Sequence, residues 1–151
     1  MKDERFRVGY DDGGGHMYFE VRVFDTLAGM RRHYGRSRIL GVGHFPGFGD
    51  DALAFCSPRT EWLVDSDKNV VRVEPRIGFI LLNREHLEPY IVVHELVHAA
   101  LTYYRERGRD SVWRSADFGE SATEDEEAFA YIFHNLWIAM NRQLHDRGLW
   151  T

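Results

Sequence analysis

Residues 77–105 read IGFILLNREHLEPYIVVHELVHAALTYYR, and this stretch decides both the fold class and the chemistry. Ile77-Gly78-Phe79-Ile80-Leu81-Leu82 is apolar without alternation, which predicts a strand covered on both faces. Asn83 ends that strand. Glu88-Pro89 then opens a helix, because proline at the first helical position lacks only an amide hydrogen that would have no partner there. From Pro89 to about Arg105, Ile91, Val92, Val93, Leu96, Val97, Ala99, Ala100, Leu101, Tyr103 and Tyr104 surround nearly the whole circumference. Such a helix is expected to lie buried in a core. Arg105 and Arg107 suit its negative C-terminal end, and Gly108 is a natural terminator.

Within this helix stands His94-Glu95-Leu96-Val97-His98. At 3.6 residues per turn the histidines sit one turn apart on one face, so both imidazoles can grip one ion. A catalytic zinc site takes a third protein ligand and leaves a fourth position for water. Glu95, adjacent to the first histidine, can reach that water instead of the metal and act as general base. Burying these three side chains among apolar neighbours is costly unless something satisfies them. A metal ion does so directly; the alternative is a triad satisfied by its own hydrogen bonds.

Upstream, Met17 to Phe24 is aromatic and β-branched and reads as a strand after the flexible Gly13-Gly14-Gly15. Asp25 is the expected N-cap of a short helix over Thr26 to Tyr34, carrying Leu27, Met30 and Tyr34 and ending at Gly35. Ile39 to Phe45, Ala52 to Cys56 and Val70 to Val73 are expected strands. Gly41-Val42-Gly43 begins like a dinucleotide fingerprint, but Pro46 takes the third glycine position, so a glycine-rich loop is the reading. Downstream, a polar connection through Arg109, Asp110, Ser115 and Asp117 leads to a last helix from about Glu124 to His145. Its broad apolar face is Phe129, Ile132, Phe133, Leu136, Trp137, Met140 and Leu144, and its cap is Ser121 or Thr123. The expected fold class is α+β: a curved, mostly antiparallel N-terminal sheet with a short helix, then the buried histidine-bearing helix and a C-terminal helix rich in glutamate.

A chain of 151 residues suits one domain spanning 1–151. Apolar residues at 44% and charged residues at 28% exclude a disordered composition. The net charge of −5 argues against nucleic acid or anionic lipid as partner. Arg31, Arg32, Arg36 and Arg38 read as the solvated end of a helix. The lone Cys56 excludes an internal disulfide and a many-thiolate zinc site, so a metal must rely mainly on His and carboxylate. Residues Met1 to Arg7 lack a secretory signal, and no run approaches the ~18 apolar residues of a membrane span, so a cytoplasmic location is expected.

The pattern His94 to His98, followed by Glu127-Ala128-Phe129-Ala130 in a later helix, resembles the gluzincin metallopeptidases. The overall order of elements is similar to minimal members of the ImmA/IrrE kind and to small zincins of phages and mobile elements. The resemblance covers about Ile91 to Phe133, and at Tyr131 this chain departs from the Asp that some gluzincins place four residues after the ligand glutamate. It implies a zincin-like fold, Zn2+ as cofactor, Glu127 as third ligand and a peptide or protein substrate. A helical projection instead sets Glu126 nearer the apolar face, while its place three residues after Thr123 would suit a capping box; both glutamates stay open. Oxyanion donors are sought in His134, Tyr131, Tyr103 and Tyr104. His16, His33, His44, His86 and His145 read as surface or loop residues. Substrate choice is expected at the sheet edge, with Gly41 to Gly49 as a rim. The function expected is zinc-dependent peptide hydrolysis; the alternative is a non-catalytic zincin-fold binding or regulatory module with a structural metal.

Overall fold

Alternating β-branched and aromatic residues form the first two strands, β1 (Glu4–Val8) and β2 (Tyr18–Phe24), paired antiparallel from Glu4 opposite Val23 to Val8 opposite Phe19. The structure, a computed structural model, describes residues 3–9, 17–39, 52–59, 61–73, 75–106 and 122–150. Helix α1 (Leu27–Ile39) follows, then β3 (Phe55–Pro58), a hairpin of β4 (Trp62–Val64) and β5 (Val70–Val73), and β6 (Arg76–Asn83). After a 3₁₀ turn at Arg84–His86 come the two long helices, α2 (Pro89–Glu106) and α3 (Ala122–Asp146). The described residues thus form an α+β arrangement on a four-stranded sheet in the order β1-β2-β6-β3. β1–β2 and β3–β6 are antiparallel and β2–β6 is parallel, a pairing that no tight turn can connect. No helix among the described residues is long and apolar enough to cross a membrane.

Strand β6 is covered on both faces, as its unbroken apolar run predicts. Ile80 and Leu82 join the main core with Phe19, Val21 and Val23 of β2, and Leu96 and Ile132 of the long helices. Leu81, pointing the other way, packs with Phe24, Met30 and Phe55 in a second cluster under α1. Gly78 is required by close approach: a Cβ there would lie 2.5 Å from the Phe19 ring and 2.7 Å from the Ser57 carbonyl oxygen.

Helices α2 and α3 run antiparallel. Tyr104 near the end of α2 meets Phe129 near the start of α3, with ring centroids 6.5 Å apart. At the other end, the Trp150 indole donates to the Leu87 carbonyl, just before α2, at 2.9 Å. The α2 helix is fastened to the sheet by the Tyr103 phenol, which donates to the Met17 carbonyl at 2.6 Å.

Several local expectations are corrected. Helix α1 continues through Gly35 to Ile39, so Ile39 is helical and no strand begins there; residues 40–45 lie outside the described residues. A glycine inside a helix costs about 1 kcal/mol against alanine but stops it only when it adopts the left-handed conformation. Among the described residues Gly148 is the only glycine that does so. The α1 cap is Thr26 rather than Asp25, since the Thr26 hydroxyl accepts from the Gly29 amide at 3.0 Å. Strand β3 lies at Phe55–Pro58, three residues later than its expected start, because its register is set by pairing with β6 from Leu81 to Gly78. Thr123 is inside α3, which begins at Ala122, so it is not the N-cap; Ser121, the other expected cap, lies outside the described residues. Helix α2 is not enclosed on every side: Tyr90, Val97 and Leu101 are exposed.

Candidate functional site

Helix α2 positions the three chemically distinctive side chains. Its first turn closes on Glu88, whose carbonyl accepts from the amides of Ile91 at 3.0 Å and Val92 at 3.1 Å. The buried positions Ile91, Val92, Leu96, Ala99, Ala100 and Tyr103 fix the rotation of the helix against the core. That rotation turns His94 and His98 outward, where both are exposed, and leaves Glu95 inward at 7% exposure. The expectation of two histidines sunk in a core is therefore corrected. Of the three, only the glutamate is buried, and it carries the larger desolvation penalty.

The Nε2 atoms of His94 and His98 lie 3.3 Å apart, and their rings meet edge to face with centroids 5.0 Å apart. Two nitrogens bound to one tetrahedral zinc at 2.0–2.1 Å stand roughly 3.3 Å from each other, so the donor set fits such an ion. An N–H···N hydrogen bond, at the long end of the usual range, is the other arrangement this distance allows. Burial, followed by the neighbouring His94 charge, holds the His98 pKa below its ordinary value, which favours the neutral ring a metal requires. Burial raises the Glu95 carboxyl to about 7. The Glu95 carboxyl group makes no hydrogen bond to another described residue.

These residues open onto a cavity of about 490 Å³. Its remaining walls come from three places: Tyr34 of α1, the segment Ala52 to Cys56 leading into β3, and Tyr90 and Ile91 of α2. Tyr34 and Phe55 stack nearly parallel, 3.8 Å between centroids and 10° between planes. Burial pushes the Cys56 thiol up, and the nearby Glu95 charge pushes it further. Tyr90 was not singled out from the sequence, although its spacing, one turn before His94, sets it on the histidine face. Nothing local in the sequence pairs Tyr34 with Phe55.

The α3 residues expected at the site stand apart from this cavity. Glu126 lines a second cavity of about 300 Å³ with Leu101, Tyr104 and Phe129, next to the His98 turn of α2. Glu127, Tyr131 and His134 are exposed, and none of them lines either cavity. Among the described residues no third His, Cys, Asp or Glu joins the two histidines in one cluster. Of the other expected donors, Tyr103 spends its hydroxyl on Met17, and Tyr104 faces Phe129. His16, His44 and the Gly41 to Gly49 rim lie outside the described residues. No family model, curated protein or solved structure matches the chain.

Proposed function

We propose that this chain is a zincin-like zinc metallopeptidase, hydrolysing a peptide bond in a peptide or protein substrate. The observation that carries the reading is the 3.3 Å separation of the His94 and His98 Nε2 atoms beside a carboxylate that is almost fully buried. His94 and His98 would hold the ion through Nε2, and the third ligand would be a carboxylate of α3, Glu127 by resemblance or Glu126 by helical projection. When bound, zinc supplies a Lewis acid that polarises a carbonyl and makes water acidic near neutral pH.

Glu95 removes a proton from the attacking water as its oxygen bonds to the carbonyl carbon. The C–N bond then breaks, and Glu95 delivers the proton to the departing amine. Its burial weakens the solvation of its charge and raises its pKa to about 7 in the metal-free protein. Beside a cation held by the neighbouring imidazoles, Glu95 would return to its ionised, proton-accepting form. Tyr90 lines the cavity one turn before His94, and its phenol can donate to a developing oxyanion.

The test measures zinc content and proteolysis of a mixed peptide library in parallel. Glu95→Gln is expected to keep zinc and lose about 10²–10⁴-fold in cleavage, whereas His98→Ala loses both. Full cleavage by Glu95→Gln would remove the peptidase reading. Zinc binding with no cleavage in either wild type or Glu95→Gln would support the non-catalytic binding module.

A further inference from the structure

We propose that the cavity beside His94 and His98 is a recognition pocket for one large, uncharged apolar or aromatic side chain flanking the scissile bond. This inference rests on the metallopeptidase reading above and names its substrate class. The far wall of the cavity is the Tyr34–Phe55 stack, which joins α1 to β3. Phe55 is buried together with Phe24, Met30 and Leu81, and Tyr34 packs against that same cluster. The wall is therefore set before any ligand arrives, and an occupant spends little on ordering it.

Space and charge agree on the occupant. Ala52 and Ala54 are small where the wall turns toward α2, and a volume of about 490 Å³ admits a backbone segment together with a bulky side chain. Among the described lining residues there is no Lys, Arg or Asp, and the only carboxylate is Glu95. An anionic side chain placed against the Tyr34–Phe55 wall meets no Lys or Arg among the described lining residues. A cationic one faces the ion held by the imidazoles and takes the Glu95 carboxylate out of its role. Against the ring wall neither charge finds a partner to replace its hydration, whereas an apolar ring gains contact with two stacked rings and Ile91.

The test uses calorimetry on the zinc-loaded full chain with three hydroxamic acids that share one chelating group: acetohydroxamate, 3-phenylpropionohydroxamate and 3-carboxypropionohydroxamate. The phenyl compound is expected to bind at least about tenfold more tightly than acetohydroxamate, and the carboxyl compound no more tightly. In Tyr34→Ala the phenyl preference shrinks to within about threefold, with zinc stoichiometry as the folding control. Ala52→Lys, which adds a cation to the wall, shifts preference toward the carboxyl compound, an outcome that loosened packing alone does not produce. Acetohydroxamate bound with no side-chain preference in wild type, or an intact preference in both variants, overturns this inference alone. No binding of acetohydroxamate at saturating zinc overturns the metal reading and this inference with it.

Discussion

Burial raises the Glu95 carboxyl from an ordinary 4.5 to about 7, so the native state keeps this proton over a range where the unfolded chain has lost it. Stability falls with pH wherever the native state binds more protons. Metal-free protein should therefore lose up to about 3 kcal/mol from this group as pH rises from 4.5 to 7, with no further change above. His98, whose pKa is lowered, acts in the opposite direction and destabilises as pH falls below its unfolded value of 6.5. Comparing wild type with Glu95→Gln isolates the glutamate. Urea denaturation should find the two equal near pH 4.5 and the variant more stable at pH 8; equal stabilities at both pH values would contradict the burial argument. For Tyr90, removing the phenol hydroxyl in Tyr90→Phe should lower kcat about 10²-fold while KM changes little. A larger loss in Tyr131→Phe or His134→Ala would return the oxyanion role to α3.

Helix α2 displays two unlike faces, and the boundary between them makes the site. Its inward stripe anchors on the sheet and α3, and its outward stripe carries Tyr90, His94, His98 and Leu101 at successive turns. Because α3 runs antiparallel to α2, its first turns lie beside the last turns of α2, where Glu126 meets Leu101 and Tyr104. Glu126 thus faces the histidine-bearing helix, and Glu127 is the residue the motif favours. Zinc titration of Glu126→Gln and Glu127→Gln decides between them: the ligand variant should bind zinc at least about 10²-fold more weakly and the other within about threefold of wild type. Equal, unchanged affinities would place the third ligand outside α3. Element boundaries show the same dependence on neighbours. Besides its own Thr26 cap, α1 receives the Glu85 carboxylate, which accepts from the Leu27 amide at 2.8 Å across 58 residues of sequence.

At the scale of the molecule, the histidines stand on one rigid helix, but a three-ligand site would also tie α2 to a second segment, so the proposed ion would stabilise the whole fold. Zinc at about 100 times its Kd should add roughly 2.7 kcal/mol and raise Tm by about 5–10 °C, an increase read by calorimetry and absent from His98→Ala. A rise of equal size in that variant would mean that the ion binds elsewhere. The α+β class, the doubly covered strand at Ile77 to Leu82, the helix opening at Pro89 and the His94, Glu95, His98 spacing were all legible in the sequence, because each depends on contacts or periodicities within a few residues. The exposure of the histidines was not legible, since composition counts apolar positions around α2 while packing decides which of them find neighbours. Continuation of α1 through Gly35 was missed because helix termination depends on backbone conformation, not on the presence of glycine. The Tyr34–Phe55 wall and the approach of Glu126 to Leu101 join residues far apart in the chain, so only the tertiary structure decided them. Local sequence determined which side chains stand one turn apart on α2; the packing of α1, β3 and α3 around α2 determined what surrounds them, because long-range contacts leave no period in the sequence.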